Sequence, residues 1–197
     1  MANTYLLSDE AKRYLCCYYQ ILDGMIQGVS AAKLTQSISH NYIVQLLPQH
    51  RSAVRLCRNL LDASNNSSLR RLAQRIAARE AEVIEALEAE LTDADQLTSP
   101  QMDLRLFQRR TDLIFREMYA QMGAVPEGGR MDVLFLRQMI PQRWGGIRAA
   151  RTALRYEVSA GLAPLLRSAI DDQSREIRQM RILLSQRGCQ SCQSTCV

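Results

Sequence analysis

The chain repeats itself without a gap. A shift of 93 residues lays Leu46-Leu47-Pro48-Gln49-His50 on Met139-Ile140-Pro141-Gln142-Arg143, with the two prolines in register. The same shift places Tyr14 on Phe107, Leu22 on Phe115, Met25 on Met118 and Leu61 on Leu154. It also places Leu69 on Leu162, Leu72 on Leu165 and Ile84 on Ile177. Only 13 of the 84 pairs that start at Ser8 and end at Leu91 are identical, so pattern rather than identity has been kept. An unbroken register of apolar on apolar is what an old tandem duplication leaves. It limits the fold to two similar units, residues 8–91 and 101–184, and each copy reports on the other.

The repeat is helical. Leu, Ala, Arg, Gln and Glu dominate, while the 197 residues contain only 9 Gly and 5 Pro, a composition that suits helix. Ser8 reads as an N-cap before Asp9 and Glu10, opening a first helix to about residue 28 with the stripe Ala11, Tyr14, Tyr18, Leu22, Met25. A second helix is expected over about 38–61, a third over 68–91, and a polar joint over 92–99. Ser99-Pro100 reads as an N-cap and first position of a fourth helix reaching Met122. Helices over about 132–156 and 162–186 complete the second copy, with Pro164 tolerated in the first turn of the last. Pro48 and Pro141 fall inside helices, where each should kink the helix and free the carbonyl of Val44 or Arg137.

Folding the second and third helices back around residue 65 sets Leu46 opposite Ile84, Ile43 opposite Leu87 and Leu61 opposite Leu69. The second copy sets Met139 opposite Ile177 and Leu136 opposite Met180. Two such apolar seams closing on each other give a four-helix core, with the first and fourth helices packed outside it. One level of the seam is polar in both copies: His50 falls opposite Glu80, and Arg143 opposite Gln173. Polar groups on an apolar face are costly unless they meet partners. A pseudo-twofold relation between the hairpins would bring the four to one level, with an Arg143–Glu80 pair and His50 and Gln173 as hydrogen-bonding neighbours.

The run Asp132-x-x-Phe135-Leu136-x-x-Met139-Ile140-Pro141, with Gly146-Ile147 and then Gln173-x-x-Glu176-Ile177-x-x-Met180, resembles a bacterial ferritin-like family known as domain of unknown function 305. The resemblance implies a ferritin-like bundle of two hairpins, each carrying Met-Ile-Pro-His-His-Gln-Gly-Ala-Ile or a variant of it. Some members of that family are linked to copper binding and copper tolerance, which the resemblance brings in as an expectation. It covers the second, third, fifth and sixth helices, about half of the chain. The adjacent histidines of that motif correspond to Gln49-His50 and Gln142-Arg143, so one imidazole stands where the resemblance implies four. A guanidinium has no free lone pair and stays protonated, so Arg143 cannot ligate a cation. The expectation is a metal site lost or badly reduced.

Other constellations are weaker. With His only at positions 40 and 50, and no Glu three residues before either, a ferritin-type di-iron motif is absent. The many Met residues lie on core stripes and read as packing. Cys189-x-x-Cys192-x-x-x-Cys196 is the sharpest thiol cluster and, with His50, forms the candidate ligand set for Cu or Zn. The bland alternative is a flexible tail over 189–197 with free thiols. No nucleophile triad, phosphate loop or dinucleotide signature appears. The net charge of +5 is carried mainly by Arg, at 23 of 25 basic residues, interleaved with Glu and Asp. That reads as a salt-bridged surface rather than a nucleic-acid site. No leader peptide and no apolar run long enough to cross a membrane is seen, and a cytoplasmic protein with reduced thiols is expected.

These observations lead to one all-α domain over residues 1–188, a ferritin-like four-helix bundle plus two helices. Its expected role is non-enzymatic, in binding or assembly, with a homo-oligomer or a protein partner. Two alternatives stay open: a Cu or Zn handling protein using His50, Glu80 and the tail cysteines, and an Arg-rich module that binds an acidic partner.

Overall fold

The computed structural model describes residues 8–124 and 130–193, with side chains to residue 186, and all regular structure among them is helical. The six helices are α1 (Asp9–Ser30), α2 (Ile38–Ala63), α3 (Ser67–Gln96), α4 (Gln101–Gly123), α5 (Met131–Ala153) and α6 (Leu162–Gln193). Their starts follow from local chemistry. Ser8 Oγ accepts from the Ala11 N–H at 3.2 Å, Ser37 Oγ from His40, and Asn66 Oδ1 from both Ser68 and Leu69.

The largest departures from the sequence reading lie where one element caps another. Ser99 does not cap α4. Its hydroxyl accepts from the Ile38 N–H at 3.1 Å, and its own N–H donates to the Gln36 carbonyl. The reason is burial: Ser37 and Ile38 are sealed from solvent, so the first amides of α2 need a protein acceptor. The start of α4 is exposed and can use water. α3 consumes most of the expected joint, because Ala94 is buried and its carbonyl accepts the Ser37 hydroxyl at 2.5 Å. α5 stops at Ala153, earlier than expected, and α6 continues to Gln193.

α2 pairs with α3 and α5 with α6 as two hairpins, and these close on each other through α2 on α5 and α3 on α6. α1 lies on α2, and α4 on α5. Ile43, Leu46, Leu56, Leu69, Phe135, Met139, Leu162 and Met180 are among the side chains this arrangement buries fully or nearly so. Removal of such apolar surface from water is the main force holding the two hairpins together.

The duplication survives as symmetry in space. Gln49 and Gln142 are repeat partners, and each donates its side-chain amide to the other's backbone carbonyl, at 2.7 and 3.0 Å. Arg79 and Asp172 are also repeat partners and meet across α3 and α6 at 2.8 Å. At the ends, Asn66 in the α2–α3 loop holds Asp132 at the start of α5. Its counterpart Ser159 in the α5–α6 loop holds Ser39 at the start of α2. Reciprocal contacts of this kind define a pseudo-twofold axis through the α2–α5 crossing.

Pro48 and Pro141 both lie within helices that continue past them. A close approach follows directly downstream in the second copy. A Cβ on Gly145 would sit 2.3 Å from Met118 Sδ, so α4 packs on α5 without room for a side chain there. In the first copy the equivalent Ser52 fits, with its hydroxyl 2.9 Å from Met25 Sδ.

Candidate functional site

The polar level of the core is built by all four central helices. His50 comes from α2, Glu80 from α3, Arg143 from α5, and Gln173 with Glu176 from α6. Relative exposures of 2% for His50, 2% for Glu80 and 1% for Arg143 put all three beyond bulk solvent. Glu80 is the hub. One carboxylate oxygen lies 2.7 Å from His50 Nδ1, and the other accepts from Arg143 Nη1 at 2.9 Å. The other side of the guanidinium faces a second acid, with Nε 2.9 Å from Glu176 Oε2, an ion-pair distance without hydrogen-bond alignment.

Burial and charge pull against each other here. Burial would raise the Glu80 pKa, but Arg143 and His50 outweigh it and hold the carboxyl below its ordinary range. Glu80 is therefore an ionised acceptor, which places the shared proton on His50 Nδ1. Burial dominates at Glu176, whose pKa is raised despite Arg143. Arg143 is desolvated, yet the two carboxylates overcome that cost and its pKa is raised. Burial also pushes the Cys57 thiol up to about 12, so this cysteine is a neutral packing group.

Gln173 shares the level but not the network. It is buried against Gly146, where an added Cβ would lie 2.5 Å from its Oε1, and that oxygen has no hydrogen-bonding partner among the described residues. Glu176, one turn later, takes the place expected for Gln173. The sequence reading did not single it out because its repeat partner is Val83, so comparison of the copies gave no polar match. The available signal was its position on the same helix face as Gln173, facing a buried cation with a single acid assigned to it.

A small cavity of about 40 Å³ adjoins His50, walled by Tyr42, Leu87, Leu165 and Leu166. That is room for very few water molecules. Cys189 and Cys192 belong to the backbone of α6, but their side chains, and all of Cys196, lie outside the described residues. Cys16 and Cys17 are both exposed, and Cys57 is buried.

The donor set can be set against the copper that the family resemblance implies, or against zinc. Gln49 and Gln142 spend their amides on each other's backbone, His50 commits Nδ1 to Glu80, and Arg143 places a fixed positive charge beside them. Among the described residues no group of three or more His, Cys, Asp or Glu side chains is arranged to hold a metal ion. This constellation does not fit such a cation.

What the fold and site define is a duplicated all-α bundle with a charged, hydrogen-bonded level at the centre of its symmetry. A family model described as Domain of unknown function (DUF305) matches residues 39–184, most of the chain, and the protein belongs to that family. The match opens at the start of α2 and closes within α6, leaving α1 outside. No curated protein and no solved structure matches the chain. No helix among the described residues is long and apolar enough to cross a membrane.

Proposed function

We propose that this protein is a non-enzymatic member of its family, acting in binding or assembly, in which an ion-pair network has replaced an ancestral metal site. Arg143 carries the reading. It occupies the repeat position of His50, at the centre of the polar level, and is 1% exposed. A buried guanidinium offers only donors and a permanent charge. Two carboxylates converge on it, so acids that could have served a cation ligand set instead neutralise a side chain. Lys, Arg, Glu and Asp are rarely buried unless paired, and here the pairing is what keeps the level inside the core. A role in binding follows from what is left: a rigid symmetric scaffold with its central site filled by its own side chains.

The test is the metal content of the full-length protein purified with reductant, beside a full-length variant with Cys189→Ser, Cys192→Ser and Cys196→Ser. The expected result is no stoichiometric Cu or Zn in either. Stoichiometric metal in both proteins, lost on His50→Ala, would contradict the proposal. Metal only in the parent would assign it to the tail thiols and leave the core reading standing.

A further inference from the structure

The two copies differ most on their outer surfaces. α4 exposes Met102 at 60%, Leu106 at 38% and Leu113 at 51%, and these fall on one stripe of the helix. Their repeat partners on α1 are Asp9, Arg13 and Gln20, all polar. The same architecture thus carries an ordinary solvated face in the first copy and an apolar stripe in the second. Scattered exposed hydrophobics need no explanation, but a row along one helix does.

Arginine borders the row. Between α4 and α5 runs a groove of about 400 Å³ with Leu113 and Ile114 on one wall and Arg110, Arg148, Arg151 and Arg155 around it. Only Arg148 has an acidic partner there, Glu117; Arg110, Arg151 and Arg155 make no ion pair among the described residues. By helical phase Arg105, Arg109 and Arg116 flank the other side of the stripe. The first copy keeps Arg55 and Arg58 in place of Arg148 and Arg151, but has Cys17 for Arg110, Gln20 for Leu113 and Asp62 for Arg155. The second copy thus carries more apolar surface and more unpaired cations on this face than the first.

We infer that the exposed face of α4, with the α4–α5 groove along one edge of it at Leu113, docks an acidic amphipathic helix of a partner protein, with the partner's apolar stripe on Met102, Leu106 and Leu113 and its carboxylates on the flanking arginines. The apolar row asks for an apolar stripe at helical spacing, the usual helix-in-groove mode. The unpaired guanidiniums ask for carboxylates, which Arg grips with a planar fork. A polyanion would satisfy the arginines but leave the leucines in water. A second copy of this chain offers acids on α3, at Glu85, Glu88 and Asp93, but the exposed face there contains only Ala78, Ala81 and Ala89 as apolar residues. An acidic amphipathic helix answers both requirements. The inference gives a location to the binding role proposed above and rests on that role, but not on the fate of the metal site, so metal analysis and the following assay can fail separately.

The probe is a fluorescent synthetic helix of about 15 residues, roughly four turns, with Leu on one stripe and Glu on both flanks, measured by anisotropy against the full-length protein. Saturable binding that weakens with added salt is expected. A scrambled peptide of the same composition should bind at least about tenfold more weakly, a loss of about 1.4 kcal/mol. Arg151→Glu with Arg155→Glu, or Leu113→Glu alone, should weaken binding by at least the same factor. These positions are exposed, and helicity and melting temperature confirm that the variants fold. Arg55→Glu with Arg58→Glu applies a like charge change to the other copy and should leave binding unchanged. The inference is overturned by absence of saturable binding at low salt, by equal binding of the scrambled peptide, or by equal loss in the first-copy variant. It is also overturned if inorganic polyphosphate binds through the same arginines as tightly as the peptide. Salt-sensitive dimers of the protein alone, abolished by the Arg151 and Arg155 changes, would hand the groove to a second copy and overturn it too.

Discussion

Replacing Arg143 with Met tests the energetics of the polar level. The substitution keeps much of the aliphatic volume while removing the cation between Glu80 and Glu176. Both acids are then left at a level where Glu80 is 2% exposed, with His50 as the remaining partner of Glu80. Breaking a buried pair from one side costs about 3–5 kcal/mol, since the surviving charge is stranded. For a chain of this size each kcal/mol lowers the melting temperature by about 2–4 °C, so a drop of about 6–20 °C is expected at neutral pH. The pH dependence is more diagnostic. In the parent, the lowered pKa of Glu80 contributes stability above the ordinary carboxylate range, and that stability is lost as pH falls through the lowered value. Glu176, raised, acts oppositely: its contribution is present at low pH and is lost as pH rises through the raised value. Without Arg143 both acids move up, so the variant's deficit is greatest at neutral pH and shrinks on acidification. Adding Glu80→Gln should recover part of the loss. Thermal and urea melts followed by helical circular dichroism at neutral and mildly acidic pH supply the comparison. A variant as stable as the parent at neutral pH, or a deficit that grows on acidification, would refute the reasoning.

Four further outcomes rest on the packing. Gly145→Ala should destabilise by about 1–3 kcal/mol, because the new methyl enters Met118 in a filled core. Gly24→Ala on α1, where the new methyl would lie 3.6 Å from Arg55 Nη1 of α2, should stabilise by up to about 1 kcal/mol through helix propensity. Urea denaturation of the pair reads both signs. Ser99→Ala should cost about 0.5–2 kcal/mol by stripping the α2 N-terminus of its acceptor, and hydrogen exchange should speed up at the Ile38 amide. Gln49→Leu and Gln142→Leu each remove one of the two amide-to-carbonyl bonds across the α2–α5 crossing and should cost about 0.5–1.5 kcal/mol. Their double-mutant cycle should show coupling, since both bonds hold the same crossing.

The helices were legible because their apolar stripes recur at the same positions in both copies, and the duplication implied the symmetric closure of the hairpins. His50, Glu80 and Arg143 were legible for the same reason: polar residues at matched positions on apolar seams have few places to go. Glu176 was not, because Val83 in the first copy hides it, and the need for a second acid appears only when Arg143 is seen to be sealed from water. Ser99 misled because N-cap chemistry looks the same whichever helix it serves; the choice was made by the burial of α2, a tertiary fact. The Gln49–Gln142 exchange was in plain view as an identical repeat pair, but an amide can serve many partners. Its reciprocity emerges only at the axis.

His50 is committed to Glu80, which Arg143 holds from its other oxygen, rather than to a metal. Nitrogen-15 spectra of the His50 imidazole, recorded before and after one equivalent of Zn²⁺ or Cu⁺ is added to the full-length Cys189→Ser, Cys192→Ser, Cys196→Ser protein, measure this directly. Nδ1 is expected to carry the proton shared with Glu80, and both ring nitrogens to keep their shifts when metal is added. Movement of either nitrogen into the metal-bound range, with loss of the Nδ1 proton to Glu80, would contradict it.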